Sequence, residues 1–190
     1  HAKKALSEGA DGLILVCAGA GGHAGTLSPF ALVREVREFF DGPIALSGSI
    51  SEGSSVLSAL ALGADFAYVG TKFIATEEAN ASPGYKQMII DSTADDIMYS
   101  ATFTGVNGNY LRPSVEAAGL NPEEHTSGSK DDMNFSTSAI AKKDNSSKAW
   151  KDIWGSGQGI GSIKDAPSVQ TAVDQMVSEY EEAKSRLDNF

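Results

Sequence analysis

The residues best suited to chemistry in this chain are one histidine and two hydroxyl side chains, each set among glycines. His23 lies in Ala18-Gly19-Ala20-Gly21-Gly22-His23-Ala24-Gly25, Ser49 in Ser47-Gly48-Ser49-Ile50, and Thr71 directly after Gly70. Glycine lets backbone N–H groups come close to an anion, most often a phosphate. Imidazole adds a group that titrates near neutrality and can take or give a proton. The combination is that of an anion cradle with an acid–base group beside it.

Each glycine cluster follows a short apolar run: Gly12-Leu13-Ile14-Leu15-Val16, Pro43-Ile44-Ala45-Leu46 and Phe66-Ala67-Tyr68-Val69. Helical patterns separate the runs. Ala2, Ala5 and Leu6 have helical spacing, with Gly9 as terminator. Ser28-Pro29 suits an N-cap and first turn for a helix reaching Phe40, with Phe30, Val33, Val36 and Phe40 facing a sheet. A shorter helix over 52–62 turns Val56, Leu57 and Leu60 inward and ends at Gly63. Buried strands alternating with helices predict a parallel sheet. Right-handed crossovers then bring all three glycine turns to one sheet edge, where such folds bind ligands.

The pattern weakens over residues 80–163. Ser, Asn, Asp, Gly and Lys dominate Asn121 to Lys148, as in a long loop forming a lid or substrate wall. Trp150 and Trp154 precede a fourth glycine-rich turn, Gly155-Ser156-Gly157-Gln158-Gly159-Ile160-Gly161. The last element reads as a helix packed through Val169, Ala172, Val173, Met176, Val177, Tyr180 and Leu187.

A net charge of −10 argues against nucleic-acid or anionic-membrane surfaces. The single cysteine, Cys17, rules out an internal disulfide and reads as a small packed residue in a reducing compartment. No apolar run reaches membrane-spanning length, so a soluble cytoplasmic protein is expected. No His/Cys cluster has metal-ligand spacing, and no serine has a Gly-x-Ser-x-Gly context, so neither a metal site nor a serine hydrolase is expected. The chain starts without methionine, inside a helical pattern, as a segment of a longer polypeptide would.

Taken in order, Ala20-Gly21-Gly22-His23-Ala24-Gly25, Leu46-Ser47-Gly48-Ser49-Ile50, Ala61-Leu62-Gly63-Ala64, Val69-Gly70-Thr71-Lys72-Phe73-Ile74-Ala75-Thr76-Glu77 and Ser156-Gly157-Gln158-Gly159-Ile160-Gly161 resemble the C-terminal half of the nitronate monooxygenase family. The resemblance implies an α/β fold, the C-terminal part of a (β/α)8 TIM barrel with an inserted lid or substrate segment. Residues 1–79 would be the last βα units, 80–163 the insertion and 164–190 a helix packing on the barrel. It implies FMN as cofactor, a nitronate or nitroalkane and O2 as reactants, and a remaining N-terminal half of the barrel in the same or a companion chain.

The flavin phosphate would lie on Gly48, Ser49, Tyr68, Val69, Gly70 and Thr71, with Gly21 and Gly22 close to the ring and His23 as base or substrate contact. Backbone N–H groups of Gly48, Ser49, Gly70 and Thr71, with the Ser49 and Thr71 hydroxyls, could surround a dianion without a lysine. Ser49 replaces a glycine common in the family, which is tolerable if its φ stays negative. Val16 and Gly19 stand where many relatives carry Gln and Glu, so those flavin contacts do not transfer. Two other readings remain open: a flavin-dependent enoyl-thioester reductase, and a non-catalytic barrel binding a phosphorylated ligand.

Overall fold

The computed structural model describes residues 1–125 and 152–189, the side chain of His125 excepted. The expected loop over 121–148 falls for the most part outside the described residues. Helix α1 (Ala2–Ser7) leads into strand β1 (Leu13–Val16), the two-residue strand β2 (Gly22–His23) and α2 (Pro29–Arg37). Strand β3 (Ile44–Ser47), α3 (Gly53–Ala61), β4 (Phe66–Tyr68) and the short α4 (Thr71–Ile74) follow. Then come α5 (Pro83–Asp91), β5 (Ile97–Ser100), β6 (Gly108–Leu111), α6 (Arg112–Ala117) and the long α7 (Val169–Leu187). None of the described helices is long and apolar enough to cross a membrane.

The expected α/β pattern is present. Strands β1, β3 and β4 form a parallel sheet in that order, with Val16, Ser47 and Tyr68 in register at its carboxyl end. Alternation along the strands divides the sheet. One face carries the fully buried Ile44 with Leu15 and Leu46, packed under Val33 and Val36 of α2 and Ala59 of α3. The other carries Ile14, Val16, Phe66 and Tyr68, all largely exposed. Cys17 is fully buried in the first cluster, and burial pushes its thiol up to about 11, so it is an inert packing residue.

Side-chain directions correct several expectations. Phe30 is 68% exposed and Leu60 37% exposed, because Val33, Val36 and Ala59 already fill the contact with the sheet. Helix α7 buries Ala172, Met176 and Ala183, while Val169, Val173, Val177 and Leu187 face outward. The reason is backbone proximity: a Cβ on Gly53 of α3 would stand 2.0 Å from the Met176 carbonyl oxygen. Only small residues fit such a crossing, and Glu179 completes it by accepting the Gly53 amide at 2.8 Å. Ser28 does hold the N-cap position of α2, but its side chain makes no capping hydrogen bond.

Residues 80–163 hold more regular structure than their composition predicts. Strands β5 and β6 pair antiparallel, and β6 also pairs with β2, Gly22 opposite Asn109 and His23 opposite Gly108. This second sheet is what carries His23.

At the amino ends of the parallel strands, Arg37 ties the crossovers together. Its guanidinium donates to the carbonyls of Gly63 (2.9 Å) and Gly42 (2.7 Å) and to Asp65 Oδ2 (2.8 Å). The Ile44 amide, first, and Arg37, second, hold the exposed Asp65 carboxyl below its ordinary value of 3.8. A carboxyl lowered on folding stabilises above its unfolded value and loses that contribution as the pH falls toward the folded one. Stability should therefore fall on acidification through this range, and Asp65→Asn should make the fall shallower. Urea unfolding between pH 6 and pH 3 measures it.

Candidate functional site

The glycine turns after β1, β3 and β4 meet in one cavity of about 280 Å³ at the carboxyl ends of the strands. Its lining includes Gly21, Gly22, Gly48, Ser49, Tyr68, Gly70 and Thr71. Val69, expected with them, instead packs against the apolar cluster beneath the sheet, because it follows Tyr68 on the opposite face of the strand end. His23 is exposed on β2, next to the lining residue Gly22, and its Nε2 lies 3.3 Å from Thr104 Oγ1.

The fourth glycine turn closes the cavity. Gly155 bridges to Tyr110 of β6, and the chain continues over the strand ends into a 3-10 turn, Gln158–Ser162. Its backbone is fastened at successive residues. The Ser156 amide donates to the Asn109 carbonyl (3.2 Å), the Gly157 amide to Thr71 Oγ1 (3.0 Å) and the Gln158 amide to the Gly19 carbonyl (2.9 Å). Asn109, 2% exposed, reaches from β6 to the Ala20 carbonyl at 2.7 Å. Tyr85 of α5 stacks on Trp154 at 4.8 Å and donates its hydroxyl to the Gly155 carbonyl; burial pushes that phenol up to about 12, so it stays a donor. Sequence reasoning marked this glycine segment as a turn but missed Asn109, Tyr85 and Gln158. The glycine density of 155–161 was the available signal.

Ser49 departs from expectation. Its φ is +57°, the sole positive value among the described non-glycine residues. The left-handed region costs a residue with a Cβ about 1 kcal/mol. Its amide already donates to the Gly19 carbonyl (3.3 Å), so it is not a free donor. The amides of Gly48, Gly70 and Thr71 have no acceptor among the described residues. Thr71 Oγ1 accepts from Gly157, which leaves its own hydrogen to donate. A Cβ built on Gly70 meets nothing within 4 Å, so it would stand in the cavity itself. No charged side chain is among the described lining residues. The cavity therefore offers an anion backbone and hydroxyl donors without a counter-charge, at the ligand-binding end of a parallel sheet.

The fold is thus α/β, with a donor-lined cavity at the carboxyl ends of its parallel strands. The family model for nitronate monooxygenases matches residues 1–179, and the chain belongs to that family of oxidoreductases. It is 29% identical over 131 residues to a nitronate monooxygenase of Paraburkholderia phytofirmans, covering 64% of this chain and 36% of the relative. It is 24% identical over 220 residues to a Rhodococcus jostii protein, (3aS,4S,5R,7aS)-5-hydroxy-7a-methyl-1-oxo-octahydro-1H-indene-4-carboxyl-CoA dehydrogenase, covering 94% of this chain and 61% of that one. Among solved structures, nitroalkane oxidase from Streptomyces ansochromogenes superposes with a TM-score of 0.73 at 26% identity, over 98% of this chain and 56% of the other. The chain thus spans less than two thirds of the length of these proteins.

The contact between Gly157 and the first turn is the closest test of this assembly. A Cβ on Gly157 would stand 2.8 Å from the Gly19 carbonyl oxygen and 3.2 Å from the Gly21 amide, whereas one on Gly161 meets nothing within 4 Å. Gly157→Ala should destabilise by about 1–3 kcal/mol. Gly161→Ala should change stability by no more than ~1 kcal/mol. Paired thermal melts measure both.

Proposed function

We propose that this chain is the C-terminal part of a (β/α)8 TIM-barrel flavoenzyme that binds FMN and oxidises alkyl nitronates with O2 to a carbonyl compound and nitrite. The observation that carries the reading is a donor-lined cavity at parallel strand ends, with no charged side chain among its described lining residues and with His23 directly following the lining residue Gly22. In this reading β1, β3 and β4 are the last three barrel strands. Residues 1–79 form the final βα units, 80–163 the substrate-side insertion and 164–190 the packing helix. The exposed face of Ile14, Val16, Phe66 and Tyr68 is the barrel interior, covered by an N-terminal half in the same or a companion chain. The protein works in the cytoplasm on small molecules.

The donor set fits FMN. The amides of Gly48, Gly70 and Thr71 and the Thr71 hydroxyl would hold the phosphate, with Ser49 and Tyr68 as walls and Gly21 and Gly22 allowing close approach of the ring. When bound, the flavin supplies the redox chemistry, and the protein supplies position and proton transfer. Because the described lining residues carry no charged side chain, the phosphate would be held by dipoles and an anionic substrate by donors such as His23. For a neutral nitroalkane, His23 takes the proton from the carbon bearing the nitro group.

A second reading is the flavin-dependent reduction of an enoyl thioester with NAD(P)H. It is favoured by the match to the Rhodococcus jostii CoA dehydrogenase, which extends over 94% of this chain. O2 uptake with a nitronate, set against NAD(P)H consumption with an enoyl thioester, separates the two.

If His23 is the base, His23→Ala should slow oxidation of a neutral nitroalkane by ~10²-fold or more and spare the preformed nitronate. Steady-state O2 consumption on both substrates measures this. Equal losses would indicate a binding role, and no loss would remove His23 from the chemistry.

A further inference from the structure

We infer that Thr104 is a positioning residue, holding the neutral His23 ring with its hydrogen on Nε2, so that Nδ1 is the atom that takes the substrate proton. The inference rests on reading His23 as the base, but its structural half can be tested apart from that reading.

Thr104 lies in the connection between β5 and β6, across from the two-residue strand that carries His23. Its Oγ1 is 3.3 Å from His23 Nε2, 3.0 Å from the Val106 carbonyl oxygen, 3.2 Å from the Tyr110 hydroxyl and 3.3 Å from the Val106 amide, which donates to it. A threonine hydroxyl has one hydrogen to give. The Val106 carbonyl can only accept, and it is the nearest of the four. With the hydrogen directed there and one lone pair taken by the Val106 amide, the remaining lone pair of Thr104 Oγ1 faces His23 as an acceptor. A ring nitrogen that faces an acceptor keeps its hydrogen in the neutral imidazole, and the lone pair then falls to the other nitrogen.

The surroundings keep Thr104 in this role. Tyr110 is buried, and its ring packs edge-on against Phe103 at 5.0 Å. That burial raises its phenol, which stays neutral beside the Thr104 hydroxyl, 3.2 Å away. Ala24, the residue after His23, is tied to β5 and to the same connection by one bond each. The Tyr99 hydroxyl donates to the Ala24 carbonyl (2.9 Å), and the Ala24 amide to the Asn107 carbonyl (3.2 Å). The imidazole and the hydroxyl that orients it are thus anchored on one small sheet. The His23 ring has no second hydrogen-bond partner among the described residues, so Nδ1 is unencumbered.

The test uses the purified protein with 15N-labelled histidine, the His23 signals being assigned by their loss in His23→Ala. Two-dimensional NMR at a pH where the ring is neutral should show a protonated Nε2 and an unprotonated Nδ1. Thr104→Ser should keep that pattern, with turnover of the neutral nitroalkane within about twofold of wild type. Thr104→Val should move both nitrogens toward averaged shifts and lower kcat on the neutral nitroalkane about tenfold, with less than a twofold change on the preformed nitronate. Hydrogen on Nδ1 in the wild type, or an unchanged pattern in Thr104→Val, would overturn the positioning role. An Nε2–H ring in a protein whose His23→Ala variant still oxidises the neutral nitroalkane at full rate would overturn the base reading instead and leave the ring assignment standing.

Discussion

Everything about this site depends on how closely one stretch of backbone lies on another. The segment 155–159 crosses the strand ends at distances where a Cβ on the facing glycines cannot be accommodated. On Gly21 it would stand 2.7 Å from the Gly157 amide and on Gly159 2.8 Å from the Ser49 carbonyl oxygen, and where β6 meets β2 one on Gly108 would stand 2.6 Å from the Gly22 carbonyl oxygen. Main-chain hydrogen bonds replace side-chain packing at these crossings, and the Gly19 carbonyl accepts from both Ser49 and Gln158. Rigid backbone of this kind fixes the amide directions before any ligand arrives, which is the condition for binding charge with dipoles.

The electrostatic design follows from that constraint. A chain with net charge −10 gives an anion no long-range attraction, and the described lining residues supply no local cation. Affinity for a phosphate must then come from short, oriented hydrogen bonds, and these are available at Gly48, Gly70 and Thr71. The same economy extends to His23. It follows the lining residue Gly22 without being among the described lining residues itself, and its partner is a threonine and, beyond that, a buried tyrosine rather than a carboxylate. Stability is handled at the opposite end of the sheet, where Arg37 and Asp65 join the crossovers away from the cavity.

Much of this was legible in the residues. The three apolar runs became the three parallel strands, and their glycine turns converged, because β-strand burial and glycine placement are local signals that the fold preserves. What stayed hidden was set by tertiary contact. The pairing of β2 with β6 joins residues far apart in sequence through a strand of two residues, too short to show a period. The apolar face of α7 was read in part: Gly53 draws the backbone around Met176 and Tyr180 against α3, which buries Ala172, Met176 and Ala183 and leaves Val173 and Val177 outside. The positive φ of Ser49 could not be read from a serine, whose type argues for the opposite.

The most direct measurement of the central claim is the affinity of the flavin-free protein for FMN compared with riboflavin, which lacks only the phosphate. If the cradle of Gly48, Gly70 and Thr71 carries the binding, riboflavin should bind at least ~10²-fold more weakly, the loss of two charge-assisted hydrogen bonds or more. Equal affinities in a fluorescence titration would contradict the account, because the phosphate would then have no partner in the cavity that these glycines build.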